Sequence, residues 1–273
     1  MNDLKQLLIA FFCCMTATAI NAQCPAVNKA FSAGENLTYE LYFNWKFVWV
    51  KAGTAKMQMT NDIYNGQQVY TNKLIATSNK RADFFFKMRD TLVSCMTHQM
   101  EPIYFRKGAE EGKRYTVDEA WFSYPDGKNH VKQRRLRHNG KVSVTDTTLN
   151  ACVYDMLSIL ARARSFDPTN YRKGDKIHFE MATGRKVEKQ TLIYRGKEKF
   201  RAEDDNETTY QCLVFSLVEY DKRGREIEVI TFYVTDDDNH LPVRLDLYLN
   251  FGSAKAFLKK VKGNRHPLTS IQN

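Results

Sequence analysis

The chain has 273 residues, 43% of them hydrophobic, with 41 Lys and Arg against 31 Asp and Glu and a formal charge of +10. That length supports one large domain or two small ones, and no stretch is low-complexity. The basic balance favours anionic surfaces such as lipid head groups, glycans or acidic partners.

Residues 1–22 read as a secretory leader. Lys5 supplies the basic start, Leu7–Ile20 is an uncharged apolar run, and Ile20-Asn21-Ala22 offers a small residue for cleavage before Gln23. A lipoprotein signal needs a small residue before its acceptor cysteine, and Gln23 precedes Cys24. The run is too short to span a membrane, and no later stretch is long enough. The expectation is a soluble periplasmic or secreted protein, with no transmembrane span and no nucleic-acid partner. Cys24, Cys95, Cys152 and Cys212 remain after cleavage, an even number spaced too widely for a Cys-x-x-Cys redox or zinc site. Buried free thiols and two disulfides both stay open.

From Gly34 the chain alternates: Leu37, Tyr39, Leu41, Phe43, Trp45, Phe47 and Trp49 are apolar, with polar residues mostly between them. Period two over this length predicts a strand, or a bent pair of strands, with one face buried. Lys51-Ala52-Gly53 marks a turn or bulge, and Asn65-Gly66 is a hairpin signal between Ala55–Asn61 and Gln67–Thr77. Further short strands run to Val144, punctuated by Pro102, Gly108, Pro125-Asp126-Gly127 and Asn139-Gly140. In Ala151–Phe166, Val153, Met156, Leu157, Leu160 and Ala161 recur at helical spacing, with Thr148 or Asn150 as cap and Asp167-Pro168 as stop. The strand rhythm then resumes to Val261.

Gly34-Glu35-x-Leu37-x-Tyr39 matches Gly174-Asp175-x-Ile177-x-Phe179, and the same 140-residue offset aligns Tyr70 with Tyr210 and Pro102 with Pro242. This suggests a duplication. The expected organisation is a first β half over 23–150, a linking helix over 151–166, a second β half over 167–262 and a loose tail over 263–273. The fold class is mainly β: a large curled antiparallel meander or open barrel-like sheet with one central helix.

Phe31–Tyr39 (F-x-x-G-E-x-L-x-Y), the following aromatic run and Gly53, Asp90 and Ser94 before Pro102, Tyr154-Asp155-Met156-Leu157-Ser158, and Tyr194–Glu198 resemble the exported bacterial family called domain of unknown function 3108. The resemblance spans roughly residues 31–250 and implies an exported β-rich protein of unassigned activity, with no catalytic residue to carry over. The leader's Asn-Ala-Gln ending resembles exported Bacteroidetes proteins.

Chemistry is sparse. The six histidines show no metal-ligand spacing, and no Gly-x-Ser-x-Gly elbow appears. Gly108–Arg114 is one residue short of a phosphate loop, and Asp236-Asp237-Asp238-Asn239 lacks the distal Glu of an EF-hand and reads as an acidic turn, as does Glu203–Glu207. No catalytic residue, cofactor or metal is expected.

Three candidate surfaces remain. Tyr39, Phe43, Trp45, Phe47 and Trp49 form an apolar face that either packs as core or lines space for a lipid or other apolar molecule, since curled sheets can enclose more volume than side chains fill. Asp155 and Ser158, one helical face apart, are a candidate polar handle, or an anchor to a strand end. Lys132, Arg134, Arg135 and Arg137 are either an anionic contact or an edge strand protected by charge. The leading expectation is a non-catalytic carrier of an apolar ligand; the alternative is a structural or partner-binding envelope factor.

Overall fold

A computed structural model describes residues 24–45, 48–84, 87–202, 207–249 and 252–272. Residues 1–22, expected to be a leader, and Phe47 lie outside the described residues, as do most of Glu203–Glu207 and the side chain of Trp45. Eight strands precede the main helix: β1 (Asn36–Trp45), β2 (Val48–Tyr64), β3 (Gln67–Ser78), β4 (Met88–Met96), β5 (Pro102–Glu111), β6 (Arg114–Ser123), β7 (Asn129–Leu136) and β8 (Val142–Leu149). The others are β9 (Val153–Tyr154), β10 (Lys176–Ala182), β11 (Val187–Arg201), β12 (Thr209–Tyr220), β13 (Glu226–Thr235), β14 (Pro242–Leu249), β15 (Gly252–Lys262) and β16 (Ile271–Gln272). The described α-helices are α1 (Lys80–Asp83) and α2 (Met156–Ala163).

One sheet holds all of them, in the order β8-β7-β6-β5-β4-β3-β2-β1-β15-β14-β13-β12-β11-β10-β9, with β16 added beside β12. Neighbours are antiparallel except β9 and β10. The two β halves join directly where β1 pairs with β15. The sheet then curls until its ends meet, giving a nearly closed barrel-like shape. Val153 and Ala182 from one end pack with Ala120, Phe122 and Val131 from the other, and Gly184 N–H donates to Gln133 Oε1 at 2.8 Å across the seam.

Local chemistry explains the course of the chain. The apolar alternation beginning at Leu37 runs through a hairpin: β1 ends at Trp45 and β2 begins at Val48, so Trp49 lies on the next strand, opposite Asn44. Ala52 is the bulge, because the register steps from Leu41↔Gly53 to Tyr42↔Lys51. A Cβ on Gly53 would come within 2.1 Å of the Thr77 carbonyl oxygen, so only glycine admits this close approach. Asn65 and Gly66 both take positive φ, as a two-residue hairpin requires.

β1–β6 and β10–β15 correspond in order, Asn36 with Lys176 and Pro102 with Pro242 opening equivalent strands. Gly34 and Gly174 share the same φ of 99°. A register shift also falls just before each proline's partner, at Cys95/Met96 and Tyr233/Val234.

Three expectations need correction. The helix is shorter than 151–166. Cys152 is tied to Cys24 by a disulfide with Cα atoms 5.8 Å apart, Val153–Tyr154 is drawn out as strand, and Asp155 rather than Thr148 or Asn150 caps the helix. The tail beyond residue 262 is held rather than loose. Ile271 and Gln272 pair with β12, Ser270 donates to Asp237, and Asn239 bonds the His266 and Pro267 carbonyls. Finally, β7 is not an edge, because β8 covers it.

Candidate functional site

Beneath α2 lies a cavity of about 220 Å³. Its wall is built by alternate residues of the second half: Ile177, Phe179 and Met181 of β10, Leu213, Phe215 and Leu217 of β12, and Ile230, Phe232 and Val234 of β13. Met156, Leu157, Ile159, Leu160 and Ala163 of α2 form the facing side, and Leu74 reaches in from β3. Period-two alternation places each strand's set on one face. Ile177, Phe179, Met181, Ile230, Phe232 and Val234 are only half-buried although they point at the interior. Empty space faces Phe179, Met181, Ile230 and Phe232, while Ile177 and Val234 also pack on the cluster of Tyr194, Leu213 and Phe215.

The cavity stays open because α2 is anchored elsewhere. Its first turn is closed by a capping box: Asp155 Oδ1 accepts from the Leu157 and Ser158 N–H groups, and Ser158 Oγ accepts from Asp155 N–H. Ser94 Oγ, from β4, donates to Asp155 Oδ2 at 2.9 Å. Asp155, Ser158 and Ser94 are all fully buried. Burial pushes the Asp155 carboxyl above the usual carboxylate range, against the opposing pull of these hydrogen bonds. Asp155 and Ser158 therefore fasten the helix to a strand end and do not line the cavity. Leu157 and Ala161 pack onto first-half residues such as Leu92, Phe105, Met59 and Met96.

The other end of α2 is fixed by Arg164. Its guanidinium donates to both Glu35 carboxylate oxygens, at 2.5 and 2.8 Å, and to the Asn239 carbonyl at 3.1 Å. Both partners are almost fully buried. His240, in a left-handed backbone with φ 42°, donates from Nδ1 to the Arg164 carbonyl. Arg164, His240 and Tyr171 bring the only ionisable side chains to the cavity lining among the described residues. A second, one-water-sized space of about 10 Å³ lies between Glu35, Asn72 and Arg164.

The sequence-predicted apolar face is divided. Tyr39 is core, packed with Leu37, Met57 and Leu258, and burial raises its phenol pKa. Trp49 is exposed at 38%, with Lys255 Nζ 4.5 Å from its ring centroid. Phe43 lies close to Gly252 at the β14–β15 turn. None of these lines the cavity. In the basic run, Arg134 pairs with Glu119 and Arg135 with Asp118, while His130 meets Asp146, so much of its charge is answered within the sheet. Lys132 and Arg137 are exposed.

Cys95 and Cys212 are buried free thiols. Burial pushes Cys212 up to about 12 and raises Cys95, so neither is a nucleophile at neutral pH. Asp236–Asn239 is a structural turn, with Asp236 on Lys197 and Asp237 on Thr235, Asn239 and Ser270. No group of His, Cys, Asp and Glu among the described residues could hold a metal ion. No described helix is long and apolar enough to cross a membrane.

Sequence reasoning missed the cavity wall and the Glu35–Arg164 pair. The signals were present: the alternation of Ile177, Phe179 and Met181 on β10 repeats that of β1, and Glu35 stands just ahead of the first alternating strand.

Fold and site together define a mainly β protein: a nearly closed antiparallel sheet holding an apolar cavity under a clamped helix. The chain belongs to the family described as protein of unknown function DUF3108, whose family model matches residues 38–259. Its fold is similar to that of the crystal structure of a beta-barrel-like protein of domain of unknown function DUF1849 from Brucella abortus. That match has a TM-score of 0.56 and 9% identity, covering 88% of this chain and 99% of the other. No curated protein matches the sequence.

Proposed function

We propose that this protein is an exported, non-catalytic carrier of an apolar molecule. The observation that carries this reading is the 220 Å³ apolar cavity. A dry cavity of about 150 Å³ accepts benzene, so this one suits a somewhat larger ring or a short acyl segment. Lipid-like ligands fit the chemistry of the wall. Catalysis is disfavoured by the state of the ionisable liners: Arg164 is committed to Glu35 and Asn239, and His240 to a backbone carbonyl. Export is supported by the leader over 1–22 and by the Cys24–Cys152 disulfide, which is at home in an oxidising compartment. The leader's ending agrees with a Bacteroidetes-type member, and the strand correspondence supports an internal duplication. Titrating the purified protein with a fluorescent short-chain fatty-acid analogue should give saturable one-to-one binding. No saturable binding, together with no apolar molecule released in native mass spectrometry, overturns the reading.

A second reading, a partner-binding envelope factor, draws on β8. This end strand pairs only with β7 among the described residues and exposes Val142 and Val144. Capture of an envelope protein that Val144→Lys abolishes would favour it.

A further inference from the structure

In an antiparallel meander, alternate connections gather at the same end of the sheet. One end of this barrel carries the β1–β2, β3–β4, β5–β6, β7–β8, β10–β11, β12–β13 and β14–β15 connections. Their charge is one-sided. The β7–β8 turn brings Arg137 and Lys141, the β10–β11 turn Arg185 and Lys186, and the β12–β13 turn Lys222 and Arg223, all exposed. Lys80 and Arg81 on α1 and Lys113 at the β5–β6 turn add to them. The described acids in these connections, Asp83 and Asp221, are each paired with an arginine, Arg89 and Arg225. At the opposite end acids outnumber bases among the described residues, with Asp126, Asp167, Glu207 and Asp236–Asp238 in the connections.

Most of the exposed large apolar side chains share the basic end, while Val27 and Ile63, each 74% exposed, lie at the other. Phe84 is 85% exposed and Val48 61%, with Val50, Tyr248, Leu249 and Ile227 beside or between the basic turns. Isolated exposed apolar residues need no explanation, but their concentration on the basic end does. A surface that combines cations with protruding apolar tips matches a bilayer bearing anionic head groups: the charges draw the protein down and the tips enter the interface. An acidic protein partner would answer the charge but would leave Phe84 and Val48 without an apolar layer to enter.

We propose that this basic, apolar-tipped end of the barrel docks on an anionic lipid bilayer. The cavity runs along the barrel between its two ends: Met181, one residue from the end of β10, lines it toward the basic end, and Ile177, Val234 and His240 line it toward the other. Docking would bring a membrane-derived apolar molecule to the near side of the cavity. The surface does not depend on what fills the cavity, so the two ideas fail separately.

The test is co-sedimentation of the purified protein with vesicles of equal parts phosphatidylglycerol and phosphatidylcholine, against phosphatidylcholine alone. Binding should require the anionic lipid and weaken as salt rises. The variant Arg137→Glu/Lys141→Glu/Lys222→Glu/Arg223→Glu should weaken it more than about a hundredfold, at about fivefold per charge lost. Val48→Ser/Phe84→Ser should weaken it about tenfold while retaining the salt dependence. Lys128→Glu/Lys173→Glu, at the opposite end, should bind as the parent does. Leu217→Trp, which reduces the cavity, should also dock normally. Circular dichroism confirms the fold of each variant. Absent binding, equal binding to both vesicles, or equal loss from charge reversal at either end overturns the proposal.

Discussion

Arg164 and Glu35 form a buried bidentate ion pair that joins the last turn of α2 to the residue just before β1, 129 positions earlier in the chain. The Arg164 guanidinium also lies 5.6 Å from the Phe31 ring centroid. Breaking a buried pair strands a charge in a medium that cannot solvate it, at a cost of about 3–5 kcal/mol. Arg164→Met and Glu35→Gln should each lose stability on this scale in urea unfolding. Glu35→Leu/Arg164→Met should recover much of it, because neither charge is then buried. If the double variant is as unstable as the sum of the singles, the pair is not the tie described here.

Cavity residues make a contrasting set. Leu217 faces space, so Leu217→Trp should leave the melting temperature within a few degrees of the parent while reducing binding of the fatty-acid analogue by more than about tenfold. Phe232→Asp should also lower binding by placing a carboxylate against the apolar wall. Unchanged affinity in both would put the ligand elsewhere.

Thiol chemistry offers an independent check. Cys24 and Cys152 are joined and Cys95 and Cys212 are free and buried. The chain from Gln23 onward should show almost no reactive thiol when native, two when unfolded without reductant, and four after reduction. Cys24→Ser/Cys152→Ser should cost about 2–5 kcal/mol, since the bridge restrains a long loop of the unfolded chain. Four thiols before reduction would remove the disulfide.

Acid should help the fold through one group. Burial raises the Asp90 carboxyl to about 6, only partly offset by Lys107 at 3.8 Å, and its Oδ1 makes no hydrogen bond. The folded state therefore holds this proton more tightly than the unfolded chain, whose aspartate titrates near 4. Stability from Asp90 is present below the unfolded value and is lost as pH rises through about 6. Asp90→Asn should raise the melting temperature at pH 7.5 and change it little at pH 4. An equal effect at both values would refute the shift.

The sequence by itself determined what depends on local pattern. Alternation, proline and Asn-Gly spacing sufficed for the strand-rich fold, the Asn65-Gly66 turn, the bulge at Ala52-Gly53 and the presence of one substantial helix. These signals act within a few residues, where backbone sterics and side-chain period decide. Only tertiary structure decided which apolar face is filled. Tyr39 and Phe179 occupy matching places in the two halves, yet Tyr39 packs in the core and Phe179 lines a void. The difference lies in what faces each of them. Asp155 and Arg164 hold α2 at both ends, on Ser94 and Glu35, so its Leu157 and Ala161 pack onto first-half residues while a space remains against the second half. Periodicity specifies a face, and only long-range packing supplies its partner.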